Sequence, residues 1–367
     1  MSPTTSADPL LTELLERRGA PVATIVAAGP GFEGDVQSRL DIRSKEARKQ
    51  LEDAGLQAAV VDAVEAAVQS HTGEDGLGIV ADRDGVLFTT LLEVETDDEV
   101  LQVEALPRYV PFVRERFVNR PHVVVRCDRV GAQIARVQRG EIQRDTEVVG
   151  DDEHVRKVQA GGWSQRRFQN RAEHTWDQNA KEIAEAVVTE ADAIDAELVV
   201  VTGDGRAVQL VAEHLPERFA DHLVLDDHQP FDDESDAVVF DRAMTLVHDR
   251  VGRELVEVLE RFGELRGRNE GAADDVSDVL AALRQGAVET LLVSGDSDER
   301  VHIAMEDPMQ VAFDAAGITD LGLEDVADAR LTDAVIQSAL LGGAAVMIVP
   351  EHGPNSPNGP LGAILRF

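Results

Sequence analysis

The sequence predicts an α/β protein of three domains, and three observations support this prediction. From Pro121 onwards, short apolar runs typical of buried strands alternate with longer segments in which apolar residues recur every three or four positions. The chain has 367 residues, enough for two to three domains of about 150 residues each. Hydrophobic residues make up 43% of the sequence, so several packed cores are expected rather than disorder.

The net charge of the chain is strongly negative and restricts the partners that it can bind. Asp and Glu total 70 against 35 Lys and Arg, which gives a formal net charge of -35. We interpret this charge as a solvated acidic surface that stays soluble in concentrated salt; an acidic surface for a basic partner is the alternative. Because phosphate contacts require Lys and Arg, any contact with RNA must be local.

Cysteine content and hydropathy indicate the compartment. The single cysteine, Cys127, excludes an internal disulfide and a zinc site built from cysteines, which fits a reducing cytoplasm. The first residues lack the basic and apolar regions of a signal peptide, and the longest apolar stretch, 339–350, is too short to span a bilayer. We therefore expect a cytoplasmic protein without a membrane partner. No cofactor is expected, and no metal site is expected, because the acidic loop 226–236 lacks the spacing of a calcium loop.

The first predicted domain covers residues 1–118. Its apolar pattern predicts a strand at 22–28 and a helical stretch that begins at Ser44. Two further strands are predicted at 77–81 and 86–92, joined by the turn Asp82-Arg83-Asp84-Gly85. Residues 106–119, with two prolines and three arginines, are expected to form a connector.

A glycine-rich segment in this domain, residues 29–34, formally matches the fingerprint of dinucleotide-binding proteins. That fingerprint requires a strand before it and a helix that opens at its third glycine. Residues 36–42 are expected to be extended, so nucleotide binding is set aside.

The second and third predicted domains cover residues 119–251 and 252–367. In the second we predict strands at 123–125 and 132–137, a third strand that ends near Val149, and a fourth at 198–201. Helices are predicted at 164–190 and 207–214. In the third we predict helices at 276–285 and 332–341, a break at Gly286, strands at 288–293 and 345–349, and an edge strand at 361–367. This alternation predicts mixed sheets flanked by helices.

One segment, residues 154–171 (HVRKVQAGGWSQRRFQNR), has the opposite charge to the rest of the chain and is called the basic segment here. It contains no acidic residue, and its cations are Arg156, Lys157, Arg166, Arg167 and Arg171. We interpret it as a loop hinged at Gly161-Gly162 and a helix capped by Ser164, since helix N-termini and clustered arginines both favour phosphate oxygens. The alternative is a surface loop whose arginines balance nearby carboxylates. The residues alone leave both interpretations open.

The sequence Gly161-Gly162-Trp163-Ser164-Gln165-Arg166-Arg167-Phe168, followed by a long helix, resembles the middle domain of archaeal and eukaryotic class 1 release factors. In that family a Gly-Gly-Gln loop precedes a similar helix and reaches the peptidyl-transferase centre. Residues 121–140 resemble the opening strands of that domain, and residues 279–293 and 361–367 resemble parts of its third domain. The resemblance covers about residues 119–367 and implies three domains in the release-factor arrangement.

Two departures from the release factors change the expected activity. Trp163 occupies the position of their glutamine, with Gln165 two residues later, and the first domain lacks their Asn-Ile-Lys-Ser motif. Termination at stop codons is therefore not expected. Two branches of the superfamily remain: the Vms-type peptidyl-tRNA hydrolases of ribosome quality control, and the Balon-like bacterial hibernation factors, which the Gly-Gly-Trp-Ser-Gln-Arg-Arg-Phe form resembles more.

The second branch implies a stress-response factor that silences translation by occupying the ribosomal A site together with elongation factor Tu. Its expected contacts with ribosomal RNA come from the basic segment: Arg156, Lys157, Gly161, Gly162, Trp163, Ser164, Arg166, Arg167 and Arg171. The first branch implies hydrolysis of peptidyl-tRNA, with Gln165 placing the attacking water.

Overall fold

The structure, a computed structural model, describes residues 11, 14–15, 21–29, 36–71, 75–92, 94, 99–138, 141–149, 163–226 and 236–367. For residues 36–39, 141, 143–145, 149, 163–173 and 236–237 it describes the backbone alone. The chain divides into two compact units. One combines Met1–Phe117 with Leu255–Phe367, and the other is Val118–Glu254.

The described residues of the first segment of the chain include an antiparallel sheet and the helices that flank it. The strands are β1 (Val22–Ala27), β2 (Gly76–Asp82), β3 (Gly85–Leu92) and β4 (Val100–Glu104), and the helices are α1 (Val36–Asp53), α2 (Ala58–Ser70) and α3 (Val110–Val118). The order in the sheet is β3-β2-β1-β4, and every pair is antiparallel. The predicted hairpin of β2 and β3 is confirmed, whereas β4 was not predicted.

Two predictions for this segment are wrong. Residues 36–42 are helical rather than extended, because Leu40, Ser44, Ala47 and Leu51 follow a helical spacing and are all buried. The helical stretch is also broken into α1 and α2, where Gly55 has a φ of +81°. The helix α1 therefore follows a strand, as the dinucleotide-binding fingerprint at residues 29–34 requires. However, a dinucleotide-binding unit needs a parallel pair of strands, and β1 pairs with β2 in antiparallel fashion.

The expected connector at 106–119 is also wrong, because it contains the helix α3. The prolines in this segment favoured a connector over a helix. However, Pro111 lies in the first turn of α3, where the missing backbone N–H is tolerated. Phe112, Val113 and Phe117 are buried on this helix. The segment is therefore part of the core.

The unit Val118–Glu254 contains a five-stranded mixed sheet. Its strands are β5 (His122–Cys127), β6 (Gly131–Gln138), β7 (Glu141–Val149), β8 (Leu198–Gly203) and β9 (Leu223–Leu225), in the order β7-β6-β5-β8-β9. Strands β5, β8 and β9 are parallel, while β5, β6 and β7 form an antiparallel meander. The helices are α4 (Trp163–Asp192), α5 (Gly205–His214) and the first part of α6 (Asp236–Arg268). The predicted strands and helices of this region are confirmed.

The last segment forms two small sheets around one buried helix. Its strands are β10 (Ala272–Ala273), β11 (Val288–Val293), β12 (Arg300–Ala304), β13 (Val311–Ala312), β14 (Val326–Arg330), β15 (Ala345–Ile348) and β16 (Leu361–Leu365). Its helices are α7 (Val276–Arg284), α8 (Ala316–Thr319) and α9 (Leu331–Leu341). The sheets are ordered β10-β16-β11-β15 and β13-β12-β14.

One strand of this segment differs from its predicted place in the sheet. The final strand, β16, was expected at an edge, but it lies between β10 and β11, and residues 361–364 are buried. Its short, wholly apolar sequence suits an interior strand, which is covered on both faces.

The predicted fold class, α/β with mixed sheets flanked by helices, is confirmed. The predicted boundary at 251/252 falls inside the continuous helix α6. Residues of the first and last segments share one hydrophobic core, which includes Val26, Tyr109 and Phe112 as well as Leu291 and Val335.

Candidate nucleic-acid interface

Helix α4 carries the predicted interface at its N-terminal end and packs on the sheet further along. It has 30 residues and is therefore about 45 Å long at 1.5 Å per residue. Ala180, Ile183, Ala184 and Val187 are buried against the sheet. Asn179 is the first fully buried side chain on the described part of the helix. It lies 16 residues after the helix start at Trp163, or about 24 Å along the axis.

The predicted contact residues fall at the edge of what the structure describes. Arg156, Lys157, Gly161 and Gly162 lie outside the described residues. For Trp163, Ser164, Gln165, Arg166, Arg167 and Arg171 the backbone is described and is helical from Trp163 onwards. The structure therefore places six of the predicted residues in the first three turns of one helix.

The parallel strands β5 and β8 end side by side at the edge of the sheet nearest to Asn179. Cys127 on β5 is in register with Gly203 on β8, and the backbone N–H of Asp204 donates to the Cys127 carbonyl at 2.9 Å. A Cβ atom on Gly203 would lie 1.9 Å from that carbonyl oxygen, and the φ of Gly203 is +130°. Only glycine fits this approach.

Cys127 itself is unsuited to chemistry. Burial, reinforced by the nearby carboxylates of Asp128 and Asp204, raises the pKa of its thiol to about 12. The thiol therefore stays protonated at neutral pH and is a weak nucleophile.

Arg129 connects the middle of α4 to the carboxyl ends of β5 and β8 through three contacts. Its guanidinium carbon lies 4.5 Å from the centre of the Trp176 ring. Its Nε donates to Asp204 Oδ1 at 3.2 Å, and its Nη2 forms an ion pair with Asp204 Oδ2 at 3.1 Å. The buried side-chain amide of Asn179 donates to the Arg129 carbonyl at 3.0 Å. One residue of the β5–β6 turn thus contacts α4 twice and the start of α5 once.

Asp204 holds Arg129 and caps helix α5 at the same time. Its Oδ1 accepts from the backbone N–H groups of Arg206 at 3.0 Å and Ala207 at 3.1 Å. Partial burial acts to raise the pKa of Asp204, but the hydrogen bonds from Arg129 and from these amides outweigh it and lower the pKa below its usual value. The carboxylate therefore stays ionised and keeps its partners at neutral pH.

The far end of α4 has a second polar attachment to the sheet. The buried carboxylate of Glu190 accepts from the Nε of Arg136 on β6 and, at 3.2 Å, from the hydroxyl of Thr146 on β7. Helix α4 is thus bound to the sheet near Asn179 and again two residues before its end.

The contacts of Arg129 with α4 and Asp204 were not predicted from the sequence. The sequences Asp128-Arg129-Val130-Gly131 and Gly203-Asp204-Gly205 are each typical of a tight turn, and no local pattern links the two. Only the parallel pairing of β5 with β8 brings them together. The face of α4 that carries Trp176, Ala180 and Ile183 packs against the core.

Two further properties of the described residues bear on the chemistry. No group of three or more His, Cys, Asp or Glu side chains among them is arranged to hold a metal ion. Across the described parts of the chain, no helix has the length and apolar character required to cross a membrane. The candidate interface is therefore the N-terminal end of the long helix α4, whose first turns carry arginines. The helix is attached to the sheet by Arg129 near Asn179 and by Arg136 at Glu190.

The chain matches the family model of bacterial archaeo-eukaryotic release factor family 2 over residues 121–268. This range contains the sheet of strands β5 to β9, helix α4 with its N-terminal basic segment, and all of α6. The match therefore covers the region in which the predicted interface lies.

Two proteins of Mycobacterium tuberculosis are similar over most of the chain. The uncharacterized proteins Rv2629 of strain H37Rv and MT2704 of strain CDC 1551 / Oshkosh are each 27% identical over 341 residues. In each case the alignment covers 91% of this chain and 90% of the relative.

Three solved structures are similar to this chain at lower sequence identity. Saccharomyces cerevisiae Dom34, a translation termination-like factor, is 10% identical with a TM-score of 0.43, covering 80% of this chain and 79% of its own. Archaeal termination factor aRF1 is 19% identical with a TM-score of 0.24, covering 98% and 96%. Archaeoglobus fulgidus Pelota is 15% identical with a TM-score of 0.33, covering 100% and 94%.

Residues 121–268 are therefore similar to the bacterial archaeo-eukaryotic release factor family 2.

Proposed function

We propose that this protein binds the ribosome as a release-factor-like factor and that its basic segment contacts ribosomal RNA. The observation that carries the proposal is the start of α4 at Trp163. It places Arg166 and Arg167 in the first two turns of a helix and Arg171 in the third, in a chain whose net charge is -35.

A helix start with clustered arginines is suited to phosphate oxygens. The first backbone N–H groups of a helix lack intrahelical partners, and the helix dipole adds partial positive charge there. Arginine adds a planar set of donors that matches a phosphate group. Because the rest of the surface repels a polyanion, the contact is expected to be confined to this segment.

Co-sedimentation with 70S ribosomes over a salt series tests the proposal with two charge-matched variants on the same helix. Arg167→Glu is expected to weaken binding and to flatten its salt dependence, because each phosphate contact contributes a slope of roughly 0.9 in log K against log salt for duplexes. Lys181→Glu changes the charge equally, but Lys181 is exposed beside Glu185 in the packed half of α4. It is expected to bind as the parent does. Equal loss in both variants, or in neither, would contradict the proposal.

We infer that the bound protein silences translation rather than releasing the nascent peptide. This inference is supported by Trp163, which stands where the release factors that this segment resembles carry their glutamine. An indole can stack on bases or ribose in the A site and near the peptidyl-transferase centre. In a translation assay, the protein is expected to block peptide synthesis without releasing peptide. A pull-down with elongation factor Tu tests the partner that the hibernation branch implies, and absence of capture would exclude it.

A second candidate function is hydrolysis of peptidyl-tRNA. Gln165 is the third residue of α4 and so lies in the first turn, near the unpaired N–H groups of the helix start. A glutamine placed there can orient a water molecule towards an ester, which is a proximity effect that needs no strong base.

Ribosomes carrying P-site peptidyl-tRNA separate the two candidates. Peptide release that disappears in Gln165→Ala, but persists in the control Gln178→Ala, would establish the hydrolase. Gln178 is an exposed glutamine on the same helix, hydrogen-bonded to Glu182 at 3.1 Å. Tight binding with no release by the parent protein would establish the silent occupant.

A further inference from the structure

The direction of α4 decides where the basic segment points. From Asn179 to Trp163 the helix axis is about 24 Å long, so a tilt of about 10° at Asn179 moves the helix start by about 4 Å. Hydrogen bonds to phosphates tolerate much less than 4 Å of error. A residue that fixes the helix near Asn179 therefore controls the interface from a distance.

We propose that Arg129 is the positioning residue that sets the direction of α4, an inference that rests on the proposed ribosome-binding function. Arg129 touches one face of α4 through the Trp176 ring and the next turn through Asn179. Its third contact, to Asp204, is with the cap of a different helix. These three contacts, on two neighbouring helices, resist tilting of α4 in more than one direction.

The turn that holds Arg129 is itself rigid. Asp128 Oδ1 accepts from the backbone N–H groups of Val130 at 2.7 Å and Gly131 at 2.8 Å. The backbone N–H of Asp128 donates to the Gly131 carbonyl at 3.0 Å. Arg129 is thus held between fixed points on the β5–β6 connection.

The energetics favour positioning over stabilisation. The side chains of Arg129 and Asp204 are 34% and 23% exposed, and ion pairs this accessible to water contribute little to stability. The packed apolar face of α4 supplies most of what holds the helix on the sheet. Loss of Arg129 is therefore expected to change the orientation of α4 more than the stability of the fold.

Distance measurements between two spin labels in the free, full-length protein test the positioning directly. Labels at His174→Cys and Glu213→Cys lie on exposed positions of α4 and α5, while Cys127 is buried with a raised pKa and reacts slowly. Arg129→Gln is expected to broaden or shift the distance distribution with little change in melting temperature. An unchanged distribution would overturn the proposal.

Arg218→Gln is a matched control. Arg218 also lies over an aromatic ring, that of Phe219 at 4.7 Å, and pairs with Asp192 at the far end of α4. Its removal is expected to leave the distance distribution as in the parent. Arg129→Lys keeps the charge but lacks the planar fork, so we expect it to remain broadened. Full restoration by lysine would overturn the requirement for a guanidinium.

Ribosome binding then separates the positioning from the proposed function. Arg129→Gln is expected to weaken binding on the order of tenfold with an unchanged salt slope, because preorganisation is lost while the phosphate contacts persist. A flattened slope would contradict positioning and would make Arg129 a phosphate contact. If Arg129→Gln broadens the distances but the parent protein does not bind ribosomes, the positioning stands and the proposed function fails.

Discussion

Gly203 and Asp333 are the two residues at which a single substitution is expected to change the stability of the protein most. Gly203 ends β8 with a φ of +130° and has no room for a Cβ atom. Asp333 lies in the first turn of α9 and is buried, with its carboxylate accepting from the Tyr109 backbone N–H at 3.0 Å and from Arg330 at 3.2 Å. Substitution at either position is therefore expected to change the stability of the protein measurably.

We expect Gly203→Ala to destabilise the protein by about 3 kcal/mol or more, because the backbone conformation and the clash with the Cys127 carbonyl both oppose it. Gly205→Ala is the control, since nothing lies within 4 Å of its Cβ position and it starts α5. The control is expected to be neutral or stabilising by about 0.5 kcal/mol. Denaturant unfolding measures both, and a cost below that of the control would contradict the argument.

Asp333 is expected to make stability depend on pH. Burial raises its pKa to about 6, against the opposing effects of the Tyr109 amide and Arg330. An unfolded Asp has a pKa of about 3.9, so the folded state binds more protons between these values. The stabilising contribution is therefore complete below the unfolded pKa and is lost as the pH rises through about 6.

The difference in unfolding free energy between the parent and Asp333→Asn isolates this effect. The parent is expected to lose about 1 kcal/mol relative to the variant between about pH 5 and about pH 7, and nothing further above that. If the unfolding free energy of the parent minus that of Asp333→Asn stays constant or rises between these pH values, the raised pKa of Asp333 is contradicted.

At the scale of elements, α9 is unusual because it is buried on every side. Ten of its residues, Leu331 to Leu340, are buried, including four polar ones. Thr332 accepts from the Ser297 N–H at 2.9 Å, and Ser338 donates to the Met309 carbonyl at 3.4 Å. Gln337 is fully buried, and among the described residues neither atom of its amide group has a hydrogen-bond partner.

Gln337→Met is expected to stabilise the protein by about 1 kcal/mol. A buried amide without partners costs about 1–3 kcal/mol, and Met has a similar shape and flexibility. Ser338→Ala serves as comparison, because it removes a hydroxyl that has a partner and is expected to be destabilising. Thermal or denaturant unfolding decides, and a destabilised Gln337→Met would mean that the amide has a partner beyond the described residues.

At the scale of the molecule, the first and last segments of the chain form one body. Strand β1 turns Ala23 and Ile25 towards the core with α2, and Val22 and Val26 towards the core shared with residues 273–363. Ion pairs reinforce this contact: Arg300 donates to Glu104 at 2.8 Å, and Arg108 pairs with Asp296. We therefore expect Met1–Phe117 and Leu255–Phe367 to unfold together.

Salt is expected to stabilise the fold while weakening RNA binding. Individual surface ion pairs are worth about 0–1 kcal/mol, so the self-repulsion of a net charge of -35 outweighs their screening. The melting temperature is expected to rise from about 0.1 M to about 2 M KCl, as the Debye length shrinks from about 10 Å to a few Å. Ribosome binding should fall over the same series, and a melting temperature that falls as well would contradict the prediction.

Local patterns in the sequence allow a large part of the fold to be predicted. The meander β5–β6–β7, helix α4 and the break at Gly286 all follow from apolar periodicity and turn residues. Where the local pattern is ambiguous, it fails: the helical Val36–Ile42 was expected to be extended, and prolines concealed α3. In both cases burial of residues distant in the chain decided the outcome.

The sequence by itself determined the α/β class, the basic segment in an acidic chain and the long helix that follows it, because each depends on residues close together along the chain. Only the tertiary structure decided that β16 is an interior strand, that residues 1–117 share a core with 255–367, and that Arg129 meets Trp176 and Asp204. These depend on which strands pair. Pairing is set by the free energy of burying whole surfaces, to which widely separated residues contribute together.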